Sequence, residues 1–335
     1  MSDFDSSNLD RNLALELVRI TEAAALASGR FMGRNKKNAS DHAAVEAMRL
    51  MLNTIDMTGT VVIGEGEKDD APMLFNGEIV GTGSVPSIDI AVDPIDGTSL
   101  LAMGRANALS TVGASDSGSM FNPGPFVYMN KIAVGPDAKN SIGVDAPARV
   151  NLANIARAKG CDVDDLTVVV LDRPRHDELI ADLRNTGARI RLITDGDVAG
   201  AVMTAWPGSG IDVLMGIGGT PEGVLSACAL RCMGGEIQGK LWPRNENEKS
   251  LGHKMGYDFN AVLQMEDLVS SDNCFFAATG ITDGELVSGV KYFGDGARTH
   301  SLVMRSKSGT VREVISKHRW DKLMRFSQII YDREQ

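Results

Sequence analysis

Two aspartates three residues apart stand in the run Ile88-Asp89-Ile90-Ala91-Val92-Asp93-Pro94-Ile95-Asp96-Gly97-Thr98-Ser99, where an apolar β-branched stretch gives way to acids, a proline and a glycine. Pro94 fixes φ and bars a helix there, Gly97 permits a tight approach, and a helix over 98–103 would open with free N–H groups. Carboxylates of Asp93 and Asp96 on such a turn can aim at one cation, while the amides just beyond face the anion that the cation holds. Taken alone, Asp-x-x-Asp is more often a helix cap than a ligand. The other acids weigh against the cap. Glu65 and Glu67 in Gly64-Glu65-Gly66-Glu67 directly follow a strand over 60–63, Asp41 follows Lys36-Lys37-Asn38-Ala39-Ser40 at a helix start, and Glu222 opens a helix after Gly218-Gly219-Thr220-Pro221. Carboxylate oxygens are what hard divalent cations such as Mg²⁺ and Mn²⁺ select. Arg173-Pro174-Arg175, after a strand over 166–171, can hold a phosphate group bidentately, although the pair by itself would read as surface arginines.

The elements that position these groups follow from periodicity. A first amphipathic helix spans 10–31, with Leu13, Leu17, Ile20 and Ala24 on one face, and a second runs through Val45, Met48, Leu52 and Ile55 with Ser40 as its N-cap. Short β-branched runs follow at 60–63, 78–80, 88–92, 108–113 and 131–134. From about residue 151 helices (152–159, 178–185, 198–206, 221–233) alternate with strands (166–171, 190–194, 213–217), which implies βαβ units with ligand sites at the strand ends. A β-rich stretch over 275–315 closes one sheet. The fold class expected is therefore α/β, in α+β sandwich layers: a largely antiparallel N-terminal sheet with helices, then a βαβ-rich C-terminal half. Two domains are expected, 1–145 binding metal and phosphate and 146–335 binding substrate.

Composition excludes several functions. The chain has 335 residues, 34 Lys+Arg and 44 Asp+Glu, for a net charge of −10, and few aromatics. A general nucleic-acid binder would be basic and would offer stacking platforms. No apolar run is long enough to span a bilayer, and the polar, acidic start at 1–12 lacks a signal-peptide pattern, so a cytoplasmic protein is expected. Cys161, Cys228, Cys232 and Cys274 match neither a redox pair nor a zinc set and read as packed thiols.

The hexapeptide Asp93-Pro94-Ile95-Asp96-Gly97-Thr98 resembles the signature of the metal-dependent, lithium-sensitive phosphatase superfamily, which includes inositol monophosphatases and fructose-1,6-bisphosphatases. Together with Gly64-Glu65-Gly66-Glu67, Ala102-Met103-Gly104-Arg105-Ala106-Asn107-Ala108, Arg173-Pro174-Arg175-His176-Asp177, Asp195-Gly196-Asp197-Val198-Ala199 and Gly218-Gly219-Thr220-Pro221-Glu222-Gly223, it is similar to one branch, the bacterial class II fructose-1,6-bisphosphatases. The similarity runs from about Leu13 to His318. It implies a sugar-phosphatase-like fold and hydrolysis of the 1-phosphate of fructose 1,6-bisphosphate in gluconeogenesis, with sedoheptulose 1,7-bisphosphate as a further candidate. It implies Mn²⁺ or Mg²⁺ on Asp41, Glu65, Asp93, Asp96 and Glu222, with Glu65, Asp96 and Thr98 catalytic. Asp96, Gly97 and Thr98 would meet the departing phosphate, and Tyr128, Arg173, Pro174, Arg175, Asp195, Gly196, Asp197 and Gly219 the rest of the substrate. A homo-oligomer, dimer or tetramer, is also implied.

The residues support most of that assignment on their own. Asp195 and Asp197 after the strand 190–194 can bond sugar hydroxyls or else cap a helix, Tyr128 suits a site or a core equally, and Lys37 suits a phosphate or open solvent. Thr98, a neutral hydroxyl, is too weak a base alone and is expected to orient the attacking water or relay its proton, paired with a metal-bound carboxylate. A kinase phosphate loop ending in Gly-Lys-Ser/Thr is absent, and Gly216-Ile217-Gly218-Gly219-Thr220-Pro221 has proline where a dinucleotide fingerprint needs its third glycine. The histidines form no phosphohistidine motif. An inositol monophosphatase-like enzyme and a non-catalytic phosphosugar sensor are the competing possibilities.

Overall fold

The computed structural model describes residues 13–65 and 74–327, so the expected start of the first helix at 10–12 and Glu67 lie outside the described residues. Helix α1 (Leu13–Ser28) turns Leu17, Ile20 and Ala24 fully inward, as its spacing predicts. Helix α2 (Lys37–Leu52) buries Ala44, Val45, Met48 and Leu52 on one face. Ser40 is not its cap. Asn35, at φ 54°, has already turned the chain, the helix begins at Lys37, and the Ser40 hydroxyl donates back to the Lys37 carbonyl at 2.7 Å.

The strands are β1 (Thr58–Ile63), β2 (Ile79–Val80), β3 (Ser87–Asp96), β4 (Leu109–Asp116), β5 (Tyr128–Val134), β6 (Thr167–Leu171), β7 (Arg189–Ile193), β8 (Val213–Gly219), β9 (Glu236–Leu241), β10 (Cys274–Gly280), β11 (Lys291–Phe293), β12 (Gly296–Arg305) and β13 (Thr310–Arg319). Eight form a first sheet in the order β11-β12-β10-β4-β3-β1-β2, with β13 also on β12; within it β1 and β3 run parallel and the other pairs antiparallel. Five form a second sheet, β7-β6-β8-β5-β9, in which β6 is parallel to both β7 and β8 while β5 runs antiparallel to its neighbours. Sheet membership does not change at residue 145. β5 precedes that position but belongs to the second sheet, and β10–β13 return to the first.

The remaining helices are α3 (Thr98–Met103), α4 (Ala148–Lys159), α5 (Asp177–Arg184), α6 (Asp197–Ala205), α7 (Thr220–Met233), α8 (Glu246–Met255), α9 (Met265–Leu268) and α10 (Trp320–Ser327). Three apolar cores stack them into layers. α1 and α2 pack on the outer face of the first sheet. α6 and α7 fill the space between the two sheets, against Phe276, Leu302, Met129 and Leu214. α4 and α5 cover the far face of the second sheet through Leu152, Ile155, Ile180 and Leu183. The near-continuous apolar runs of β6 and β8 follow from burial on both faces. Cys228, Cys232 and Cys274 are buried and packed in the middle core, where a hydrogen bond to Cys274 and burial push the Cys228 and Cys232 thiols up while the same hydrogen bonds pull that of Cys274 down.

Candidate active site

Helices α3, α6 and α7 all begin around one cavity of about 520 Å³ between the two sheets. Strand β3 brings in the acids. Its pairing with β4 holds as far as Asp93↔Thr111, shifts, and resumes at Asp96↔Leu109. The irregularity accommodates Pro94, which has no N–H to give a ladder, inside a strand. Gly97 then takes φ 90°, a left-handed conformation that favours glycine, and α3 starts at Thr98.

Two carboxylates cap each other's helices. Asp195, just ahead of α6, accepts the Ser99 N–H of α3 at 3.1 Å, and Asp96, just ahead of α3, accepts the Ala199 N–H of α6 at 3.2 Å. Each carboxyl group thus sits at the positive end of a helix dipole. The capping role weighed for Asp195 is present, while the same residue lines the cavity. Asp93 accepts the Ile95 N–H at 3.1 Å, and the Thr98 hydroxyl donates to Asp41 Oδ1 at 3.2 Å or to the Ile95 carbonyl at 3.3 Å.

The expected residues converge. Asp41, Glu65, Asp93, Asp96, Gly97, Thr98, Tyr128, Arg173, Arg175, Asp195, Asp197, Gly219 and Glu222 all line the cavity, whereas Pro174 and Gly196, also expected at the substrate, do not. Lys37 does not line the cavity and donates to the Ser99 hydroxyl at 2.8 Å. At the opposite pole Arg175 donates through Nε and Nη2 to the Ile217 carbonyl, at 3.0 and 2.8 Å, and its guanidinium lies 5.1 Å from the centre of the Tyr128 ring. Tyr128 in turn meets Trp242 edge-on.

The acids crowd one another. Burial, then the charges of Asp96, Glu222 and Glu65, hold the Asp93 carboxyl well above the usual carboxylate range. Burial, then Asp197, Glu222 and Asp195, do the same to Asp96, and burial with the Asp197 charge pushes Glu222 up to about 7. Glu222 Oε2 is buried with no hydrogen-bond partner among the described residues. Like-charged carboxylates kept from water resist ionisation unless a cation joins them. Among the described residues no three His, Cys, Asp or Glu side chains are already drawn together as a ready metal site. The all-oxygen donor set, its mutual repulsion and the unpartnered Glu222 oxygen nevertheless fit a hard divalent cation.

Two residues that the sequence did not single out complete the site. Lys131, on β5 and 1% exposed, donates to the Gly219 carbonyl at 3.0 Å and meets Asp197 Oδ2 at 2.8 Å, a charge contact without hydrogen-bond alignment. A Cβ on Gly218 would overlap the Asp197 carboxylate, and one on Gly219 would overlap that of Glu222, so the double glycine makes room for both acids. The only sequence signal for Lys131 was a charge inside an apolar strand. His176 is the other, buried behind Arg175.

Layers of sheet and helix with an acidic pole and an arginine pole in one cavity define a protein built to bind a ligand with more than one anionic group. The chain belongs to the family described as bacterial fructose-1,6-bisphosphatase, glpX-encoded, which it matches over residues 11–318. It is 46% identical over 325 residues, 93% of this chain and 96% of the relative, to Fructose-1,6-bisphosphatase 1 class 2 of Escherichia coli (strain K12). Identity and coverage are the same for Fructose-1,6-bisphosphatase class 2 of Shigella flexneri.

Proposed function

We propose that the protein hydrolyses the 1-phosphate of fructose 1,6-bisphosphate, giving fructose 6-phosphate and inorganic phosphate, as a step of gluconeogenesis. The observation that carries this is the pairing, across one cavity, of a carboxylate cluster with the Arg173–Arg175–Tyr128 pole. A monophosphate would need only the first; a bisphosphate uses both. Asp41, Glu65, Asp93, Asp96 and Glu222 would hold divalent cations, Mg²⁺ or Mn²⁺. When bound, these neutralise the cleaved phosphate and make the attacking water more acidic.

This chain's own residues supply position and a proton path. The amides of Gly97 and Thr98 at the start of α3 face the departing phosphate. Thr98 Oγ1 takes a proton from the attacking water as it passes its own to Asp41 Oδ1, the carboxylate it already faces at 3.2 Å. The water oxygen bonds to phosphorus, the bond from phosphorus to the sugar oxygen breaks, and that oxygen leaves with a proton returned from the carboxylate. Arg173 and Arg175, with Tyr128, hold the uncleaved phosphate, and Asp195, Asp197 and the Gly219 backbone bind the sugar. Binding energy at the remote phosphate thus positions the reacting one.

In terms of lobes, the first sheet with α2 carries the cation ligands Asp41, Glu65, Asp93 and Asp96, α7 brings Glu222 to them, and the second sheet with α6 carries the sugar and remote-phosphate contacts. Among the described residues no helix is long and apolar enough to cross a membrane; a cytoplasmic homo-oligomer suits a metabolic hydrolase of this kind. Phosphate release from purified protein should be measured over fructose 1,6-bisphosphate, sedoheptulose 1,7-bisphosphate and an inositol monophosphate, each with Mg²⁺ or Mn²⁺. Preference for a bisphosphate is expected. Preference for the inositol ester would point to a monophosphatase, and no release from any of them to a phosphosugar sensor.

A further inference from the structure

Strands β6 and β8 are ladder partners at only two positions, Val168↔Val213 and Val169↔Leu214, and beyond these their ends separate toward the arginine pole. The His176 side chain, in a residue 2% exposed, fills the opening. Its Nδ1 lies 2.7 Å from the Leu171 carbonyl at the end of β6, and its Nε2 accepts the Ile217 N–H of β8, also at 2.7 Å. The partners dictate the tautomer. A carbonyl only accepts, so Nδ1 carries the hydrogen, and an amide N–H only donates, so Nε2 carries none. Burial, along with the charges of Arg175 and Arg173 and against the Leu171 hydrogen bond and the charge of Asp197, favours the neutral ring.

The space for the ring is made by sequence. Gly216 takes φ 122°, and a Cβ there would stand 2.8 Å from His176 Nε2. The residue that the imidazole pins, Ile217, is the one whose carbonyl accepts both Nε and Nη2 of Arg175. A continuous relay therefore runs from the end of β6 through His176 and the Ile217 peptide to the guanidinium. Resting on the assignment of Arg175 to the uncleaved phosphate, we infer that His176 is a positioning residue for bisphosphate selectivity: it sets the Ile217 peptide that aims Arg175, and does not itself touch the substrate.

Two conservative variants separate this from a packing role. His176→Gln can still reach the Ile217 N–H with a side-chain oxygen, whereas His176→Asn keeps only a donor near the Nδ1 position, facing Leu171. Steady-state kinetics should be run on both, with fructose 1,6-bisphosphate and with a small aryl phosphate, in the wild-type and Arg175→Ala backgrounds. For the bisphosphate, kcat/KM of His176→Asn should fall by about tenfold or more, as expected when the group aligning a charged hydrogen-bond donor is lost. His176→Gln should keep most of it, neither should change the aryl phosphate by more than about twofold, and neither should add to the loss in Arg175→Ala. Equal losses in the Asn and Gln variants, losses shared by both substrates, or losses additive with Arg175→Ala would overturn the inference. If Arg175→Ala alone affects the two substrates equally, it is the remote-phosphate assignment that fails.

Discussion

Lys131 is the internal cation of an acidic site, and removing it should expose how the site is held together. Lys131 and Asp197 lie 2.8 Å apart with side-chain exposures of 1% and 7%. Lys131→Met keeps the aliphatic volume but leaves Asp197 buried beside Asp96 and Glu222, and strands the Gly219 carbonyl that Lys131 now satisfies. Breaking a buried pair from one side costs about 3–5 kcal/mol, because the remaining charge stays uncompensated. Replacing both members by neutral groups of similar size is often close to neutral. The unfolding free energy of Lys131→Met, followed in urea by circular dichroism, should therefore drop by about 3–5 kcal/mol. The double variant Lys131→Met/Asp197→Asn should recover most of that loss while still binding the bisphosphate poorly, since Asp197 no longer offers a carboxylate to the sugar. A single variant within about 1 kcal/mol of wild type, or a double variant no better than the single, would refute the reasoning.

Thr98→Ala should lower kcat by roughly 10²–10⁴-fold with little change in KM, and Thr98→Ser should restore much of it. A Thr98 that only supports the start of α3 would instead give normal turnover and lower thermal stability. Glu65→Gln and Asp93→Asn should fold normally but need far more divalent cation for half-maximal activity, as read from cation titrations; unchanged titration curves would remove both from the ligand set. Gly219 has an ordinary φ of −70°, so Gly219→Ala is allowed by backbone conformation but forces the Glu222 carboxylate to move. Its cation titration should shift like those of the ligand variants, and a wild-type response would show that Glu222 plays no part there.

How much of this was legible in sequence depended on range. The Asp93-to-Thr98 run encodes its own geometry through proline and glycine, and it forms the strand end and short helix that its residues predict. Helices α1, α6 and α7 lie close to where periodicity puts them, and Glu222 opens α7 behind Thr220 and Pro221. The Ser40 cap failed because a left-handed Asn35, five residues before the expected cap and itself unremarkable in sequence, had already turned the chain. Sheet membership was not legible, since β5 finds β8 and β9 roughly 80 to 110 residues away through pairings that no local pattern specifies. His176 and Lys131 could be given no role from sequence for the same reason. Their meaning lies in the Ile217 and Gly219 peptides, 41 and 88 residues distant, rather than in any neighbour along the chain.

The central claim is cation-dependent attack of water on the phosphorus of the 1-phosphate, and one measurement addresses it directly. Protein stripped with a chelator and incubated with fructose 1,6-bisphosphate in heavy-oxygen water, with and without added Mg²⁺ or Mn²⁺, can be followed by phosphorus NMR. With cation, the account predicts fructose 6-phosphate and inorganic phosphate carrying one solvent oxygen; without it, neither product should accumulate. Equal release in the absence of cation, phosphate without the solvent label, or fructose 1-phosphate as the sugar product would contradict it.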